Sequence, residues 1–468
     1  MNSQKRAAKN PALQKMALLG SAPIPKALLT MGIPTMIGML VNALYNLVDA
    51  YFVGGLGESQ MGAITVTYPL GQVVVGLGLL FGNGAASYIS RLLGRGDKEN
   101  ADKVASTALY SSISVGAVII LLSLLFLSPI LKLLGATDSI LPFAKTYAGI
   151  YIISCIFNVF NVTMNNIATS EGAAKTTMCA LLTGAVLNIV LDPIFIYVLD
   201  LGVAGAAIAT AISQVIPTCV YLTYILRKKS VFHFRIKDCT YTKEIMSEIF
   251  KIGIPTLVFQ ILTSVSISLI NNAAGDYGDS AIAGMGVVTR LISMGSLSVF
   301  GFIKGFQPIA GYSYGAKKFD RLREAIKTSI LWSTVFCVIF GLVLALFPTA
   351  IVSGFTKSDT EMIRIGSAAL RANGISIMFF GFYTVYSSLF LALGKGREGF
   401  ILGACRQGIC FIPVILLFPM FWGLNGILYA QPIADVLSAI ITVFMAIPLH
   451  RKLNEMQKQT ATIGINNN

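Results

Sequence analysis

Twelve apolar stretches, each long enough to cross a lipid bilayer as a helix, constrain this chain more than any other feature. A hydrocarbon core of about 30 Å takes roughly 20 helical residues, and lipid tolerates only backbone whose polar groups are bonded internally. A content of 55% hydrophobic and 12% charged residues excludes an ordinary soluble domain. We therefore predict an all-α integral membrane fold with twelve transmembrane helices. They fall at about 27–53, 61–88, 104–128, 142–168, 176–199, 203–226, 246–274, 281–307, 326–348, 362–392, 400–421 and 425–449.

The basic residues are distributed unevenly along this pattern. Of the 35 Lys and Arg residues, 27 lie in the two tails and in the loops on the same side of the membrane, and four lie in the opposite loops. Positive charge marks the cytoplasmic side, so both termini are expected in the cytoplasm of a multi-pass protein of the cell membrane. The net charge of +14 is thus explained by membrane orientation, and no nucleic-acid partner is expected.

Neither a metal site nor a disulfide framework is indicated. The seven cysteines include no C-x-x-C pair, and the only two histidines, His233 and His450, lie in basic flanks of the apolar stretches. We expect no metal ligands, no catalytic residues and no cofactor.

The two halves of the chain repeat one another. A shift of 221 residues places the Gly-Ile-Pro-Thr at 32–35 on that at 253–256, and Gly202 on Gly423. Six helices per unit is an even number, so the repeats are parallel, related by an axis along the membrane normal with a cleft between them, as in many transporters. The predicted division is a tail (1–26), an N-lobe (27–226), a linker (227–245), a C-lobe (246–449) and a second tail (450–468).

Several motifs carry a family resemblance over nearly the whole chain. They are Asn-Leu-Val-Asp-Ala-Tyr-Phe-Val-Gly at 46–54, Ser-Arg-Leu-Leu-Gly at 90–94, Asn188 with Asp192-Pro193, and Gly-x-x-Gly-Ala-Ala at 202–207. This pattern resembles the multidrug and toxic compound extrusion (MATE) family, and within it the MepA-type multidrug exporters.

The resemblance implies a MATE-type fold and a secondary transporter, not an enzyme. Such a protein exports lipophilic, often cationic drugs by antiport with H⁺ or Na⁺, with alternating access between two lobes. Its partners would be small molecules and membrane lipid, and it would be monomeric. The second-lobe acids of the sodium-coupled NorM branch are replaced here by Thr263 and about Phe382, so coupling is expected in the first lobe.

Two intramembrane carboxylates of the first lobe are the coupling candidates, since a charge in lipid costs about 2.5–3.5 kcal/mol and usually faces a cavity or partner. At 1.5 Å per residue, Asp49 lies ~6 Å and Asp192 ~10 Å below the outer ends of their helices. Alternatively, Asp192 merely caps or kinks its helix and Asp49 is interfacial. Pro193 would free a carbonyl beside the acids. The remaining candidates are Asn188, Thr210 and Tyr45 for the coupling ion, and Pro34 with Pro193 for hinges.

The second lobe holds one intramembrane acid, Asp435, and four intramembrane cations. Arg290 and Arg371 lie at a depth similar to that of Asp435, so an ion pair with one of them is expected, and a pair that opens on substrate binding is the alternative. Lys304 is expected to snorkel toward a helix end. The candidates for the lining of a drug cavity are Met36, Met285, Phe379, Tyr383 and Tyr386, although aromatic stripes are often core or lipid-facing.

Rival functions make different demands. An ATP-driven pump would need a phosphate-binding loop of the G-x-x-x-x-G-K-[ST] type, which the sequence lacks. A lipid-linked oligosaccharide flippase of a related fold would need a strongly cationic cleft, which the two first-lobe aspartates oppose. A channel or receptor would not need two lobes with repeated prolines.

Overall fold

The computed structural model describes residues 11–355 and 359–466, and helix is the only regular secondary structure within those ranges. Twelve of the described helices are long and apolar enough to span a membrane, which confirms the predicted fold class. Named α1 to α12, they are Ile24–Gly54, Ser59–Arg95, Lys98–Leu125, Leu141–Ser170, Ala174–Val198, Gly202–Leu226, Lys243–Gly275, Ser280–Gly315, Phe319–Leu346, Thr360–Ala392, Gly396–Trp422 and Leu424–Gln459.

Several helices extend beyond the predicted apolar stretches, because helical hydrogen bonding continues into polar sequence at the membrane surface. The last helix continues to Asn466, so most of the predicted tail 450–468 is helical. The predicted tail 1–26 contains a short helix, Pro11–Gly20, and its residues 1–10 lie outside the described residues. Further short helices are Leu127–Leu133, Ile236–Asp238 and Pro348–Ser353.

The sequence repeat is reproduced in backbone geometry at two turns. Gly57 and Gly278, which precede α2 and α8, have φ of 102° and 89°. Gly202 and Gly423, which precede or begin α6 and α12, have φ of 52° and 54°. Residues with a Cβ rarely adopt such angles, so each pair of glycines sets the same sharp turn in both halves.

The helices form two bundles, α1 to α6 and α7 to α12, that meet along α1, α2, α7 and α8. Glycines permit this contact: a Cβ on Gly94 would lie 2.2 Å from the carbonyl oxygen of Tyr312, and one on Gly315 would lie 2.1 Å from that of Arg91. We call these contacts the glycine seam. It consists of three pairs related by the 221-residue shift: Gly32 and Gly253, Gly84 and Gly305, and Gly94 and Gly315.

Polar contacts add to the seam at the end of the molecule that carries both termini. Arg91 of α2 pairs with Glu248 of α7 at 2.6 Å. The short helix Pro11–Gly20 bridges the two bundles, because Lys15 pairs with Glu171 at 3.5 Å and Arg321 donates to the carbonyl of Leu19 at 3.2 Å. Burial raises the pKa of Glu171, and the Lys15 cation opposes that shift. This end of the molecule is closed by contacts between the bundles.

Candidate functional site

The two first-bundle carboxylates meet between α1 and α5, which pack closely. Asp192 is fully buried and Asp49 is half-buried, and the two side chains face one another within hydrogen-bonding reach. Asn188, one turn below Asp192, donates from Nδ2 to Asp192 Oδ1 at 3.2 Å. Three predicted residues are therefore brought together, and we call them the carboxylate cluster.

The carboxylate cluster has acceptors in excess of donors. Asp49 Oδ1, Asp192 Oδ2 and Asn188 Oδ1 are buried and accept no hydrogen bond from the described residues. No Lys, Arg or His of the described chain lies within 4.0 Å of either carboxylate. Two adjacent buried carboxylates repel one another unless a cation or a shared proton lies between them. The arrangement can therefore hold H⁺ or Na⁺.

Tyrosines surround Asp49. Tyr45, one turn below it on α1, is half-buried and lies close enough to both aspartates to interact electrostatically. On α4, Tyr147 and Tyr151 stack with ring centroids 5.6 Å apart, and both also lie within electrostatic range of Asp49. Sequence reasoning missed these two rings, although their spacing of four residues places them on one face of an apolar helix.

Thr210 and the two prolines have different surroundings. Thr210 is half-buried on α6, and within the described residues its hydroxyl bonds to neither aspartate. Pro193 directly follows Asp192, and the helix continues as a π-helical turn, Ile194–Val198, a form often found at functional sites. Pro34 lies inside α1, which is continuous through it. The next residue, Thr35, donates to the carbonyl of Gly301 at 2.6 Å, so α1 is tied to α8 beside Pro34.

A separate cavity of about 490 Å³ is lined mainly by α7, α8, α10 and α11, with further residues from α12 and from α1, α2 and α4 of the other bundle. Its volume suits a drug-sized molecule. Met285 and Tyr383 line it, as the sequence suggested, and Met39 of α1 does too. Neither carboxylate of the cluster is among the residues that line it.

Three of the predicted lining residues are directed elsewhere. Met36 does not line the cavity, and its backbone packs on Gly301 in the contact between α1 and α8. Phe379 is 47% exposed on the outside of the bundle, whereas Tyr386 is buried with its hydroxyl 2.7 Å from His450 Nε2. A 3₁₀ turn at Ile377–Phe379 interrupts α10. The residues beyond it therefore do not keep the face that α-helical spacing predicts.

The expected partner of Asp435 was also wrong. Arg290 and Arg371 are exposed, and Asp435 instead pairs with Arg406, with Nε and Oδ1 2.8 Å apart and both side chains buried. Ser376 and Gln431 also donate to Asp435, at 3.0 and 2.8 Å. Arg406 lies in a π-helical turn, Cys405–Ile409, which alters the face its side chain occupies. Depth along a helix, the basis of the prediction, does not specify that face.

The described residues contain no group of three or more His, Cys, Asp or Glu side chains that could hold a metal ion. Twelve spanning helices in two repeated bundles, a drug-sized cavity and a pair of buried carboxylates in the first bundle define a polytopic membrane transporter.

Comparison with known proteins specifies the family. The MatE family model matches twice, at residues 34–194 and 255–417, once in each bundle. A relative from Staphylococcus aureus (strain MSSA476), named multidrug export protein MepA, is 33% identical over 433 residues, which is 92% of this chain and 95% of the relative. The MepA protein of Staphylococcus saprophyticus is 32% identical over 430 residues, 92% of this chain and 94% of its own length.

A solved structure described as the outward-facing conformation of a multidrug resistance MATE family transporter superposes with a TM-score of 0.88 at 27% identity. The match covers 95% of this chain and 98% of that one. The chain belongs to the MatE family, and it is therefore a transporter, not an enzyme.

Proposed function

We propose that this protein exports lipophilic, often cationic drugs across the cell membrane by antiport with H⁺ or Na⁺. The observation that carries the proposal is the Asp49–Asp192 pair, two adjacent carboxylates without a cationic partner in the described chain. An antiporter needs a side chain that binds the coupling ion on one side of the membrane and releases it on the other. The naming of the MepA relatives as multidrug export proteins and the drug-sized cavity support the substrate class.

Ion exchange at the carboxylate cluster would change its charge. With a proton or Na⁺ bound, the repulsion between Asp49 and Asp192 is relieved and α1 and α5 approach closely. Release of the ion restores the repulsion and separates them. Asn188 orients one carboxylate oxygen of Asp192.

Alternating access would then consist of opening and closing the glycine seam. In this structure the seam is closed at the end with the termini, as an outward-facing transporter requires. Pro34 in α1 and Pro193 in α5 are the proposed hinges, since each lacks the backbone donor that stiffens a helix. Thr210 would contribute only after α6 approaches the carboxylates.

Export should depend on an ion gradient. In everted vesicles that contain the protein, we expect ethidium accumulation to collapse when the proton and sodium gradients are dissipated together. Applying each gradient alone then identifies the coupling ion. Accumulation that continues at the same rate without either gradient would rule out antiport.

We further propose lobes at 27–226 and 246–449, a cytoplasmic linker at 227–245, cytoplasmic termini and a monomeric state in membrane lipid. The 27 basic residues on the side of the termini, against four opposite, support the orientation. Reporter enzymes fused after residues 95, 235 and 460 should all be active in the cytoplasm. An external signal at one of these positions would contradict the helix count.

A further inference from the structure

The wall of the cavity between the bundles is positively charged. Two cations, Lys304 and Arg406, are among the residues that line it, and the described lining includes no aspartate or glutamate. Its other polar groups are neutral amides and hydroxyls, such as Asn83, Gln260 and Gln307. A charge in such a place is normally compensated by a nearby opposite charge.

Only one of the two cations has that compensation. Arg406 pairs with Asp435, which lies behind the wall, at 2.8 Å. Lys304 has no Asp or Glu within 4.0 Å among the described residues, and its bonded partner is the neutral Oδ1 of Asn165 across the seam. Asn165 in turn donates to the hydroxyl of Tyr221 at 3.2 Å. An ammonium has three donors, so two remain for another partner.

Lys304, which the sequence predicts to snorkel toward a helix end, bonds across the seam to Asn165 and lines the cavity. It lies eleven residues before the end of α8 at Gly315. Its neighbours Gly301 and Gly305 both pack against α1, so the ammonium lies where the two bundles meet. The charge is therefore held inside the cavity by the fold.

Apolar side chains make up much of the remaining wall. Phe259 and Phe300 contact edge to face with ring centroids 6.0 Å apart, and Met285 and Ile303 also line the cavity. Flat, apolar molecules fit such a surface. A ligand that satisfies the whole cavity thus has an apolar body and one anionic group.

We propose that Lys304 forms an anion subsite that binds the carboxylate or phosphate of an amphiphilic molecule while the aromatic wall binds its apolar body. The inference rests on the proposed export function and extends its substrate class, from lipophilic cations to zwitterionic and anionic amphiphiles. The bound anion would lie beside the Lys304–Asn165 hydrogen bond, one of the links between the bundles.

The test compares two dyes that differ in one group. Rhodamine 6G is a cationic ethyl ester, and rhodamine 19 is the same dye with a free carboxylate. Binding to the full-length protein is measured in nanodiscs of phosphatidylcholine, with empty nanodiscs as background and no ion gradient. We expect the acid to bind about tenfold more tightly than the ester, equivalent to ~1.4 kcal/mol. The preference should disappear in Lys304→Gln and persist in Lys304→Arg.

Arg290→Gln is the matched control, because it removes one positive charge of the same bundle from an exposed position that does not line the cavity. It should keep the preference for the acid. Equal preference in wild type and Lys304→Gln, or equal binding of the two dyes by wild type, would overturn the proposal. Thermal melting and size-exclusion chromatography of each variant show that it is folded.

A second arm distinguishes a drug carboxylate from a lipid phosphate. Phosphatidylglycerol is added to the nanodiscs, and competition with rhodamine 19 that requires Lys304 would identify a lipid headgroup as an occupant of the same subsite. Absence of competition would assign the subsite to drug-like anions. Because no gradient is applied, failure of antiport leaves these binding results unaffected, and the two proposals fail separately.

Discussion

Asp49→Asn and Asp192→Asn should each reduce gradient-driven export to the level of vesicles without the protein. Asparagine preserves the volume of the side chain, but it neither binds and releases a proton nor contributes the charge that attracts Na⁺. Removing one carboxylate also removes the repulsion that we expect to drive the movement of α1 against α5. Binding of drug in the absence of a gradient should persist, because neither aspartate lines the cavity.

The measurement is initial export rate per amount of folded protein. Asp138→Asn is the matched control, since Asp138 is exposed in the loop before α4 and the substitution is chemically the same. Asp435→Asn, normalised in the same way, should retain coupling. If both first-bundle variants exported at the full rate and only Asp435→Asn failed, the coupling site would lie in the second bundle.

Breaking the Arg406–Asp435 pair should cost about 3–5 kcal/mol of stability, because each single substitution leaves the other charge buried without its partner. Asp435→Asn and Arg406→Met are both expected to lower the yield and the midpoint of thermal denaturation. The double variant Arg406→Met with Asp435→Asn should be more stable than either single variant, as a double-mutant cycle would quantify.

Arg371→Met provides the comparison for an exposed cation of the same bundle, where a change within about 0.5 kcal/mol is expected. If Arg371→Met destabilised the protein as much as Arg406→Met, the buried pair would not be the cause. Losses that simply add in the double variant would show that the two charges do not stabilise one another.

The features predicted correctly from sequence are those with a local or periodic signal. The length of each apolar run predicts a spanning helix, and the 221-residue repeat predicts two similar bundles, which the paired glycine angles at Gly57 and Gly278 reproduce. The sequence predicted that the side chains of Asn188 and Asp192 lie together, because residues four apart share a helix face. Their proximity to Asp49 followed from similar depth on helices of one lobe.

The errors occur where a helix departs from α geometry or where faces matter more than depth. A π-helical turn contains Arg406, and a 3₁₀ turn ends at Phe379, so α-helical spacing misplaces the side chains of both segments. Sequence composition contains no clear signal for either turn. Lys304 was misplaced for another reason, since snorkelling assumes a nearby helix end and α8 extends eleven residues further.

Helix α1 contains Asp49 of the carboxylate cluster and also packs against α8 in the contact between the bundles. Asp49 lies near one end of it, and Thr35, bonded to Gly301 of α8, lies fourteen residues away, about 21 Å along the axis. The segment of α1 from Gly32 to Met36, which packs against α8, would be the fulcrum of any tilt of the helix. With the fulcrum fixed, a tilt of about 10° displaces Asp49 by about 4 Å. A displacement of that size would separate Asp49 from Asp192, so under the proposed mechanism a small rotation at the seam would load or release the coupling ion.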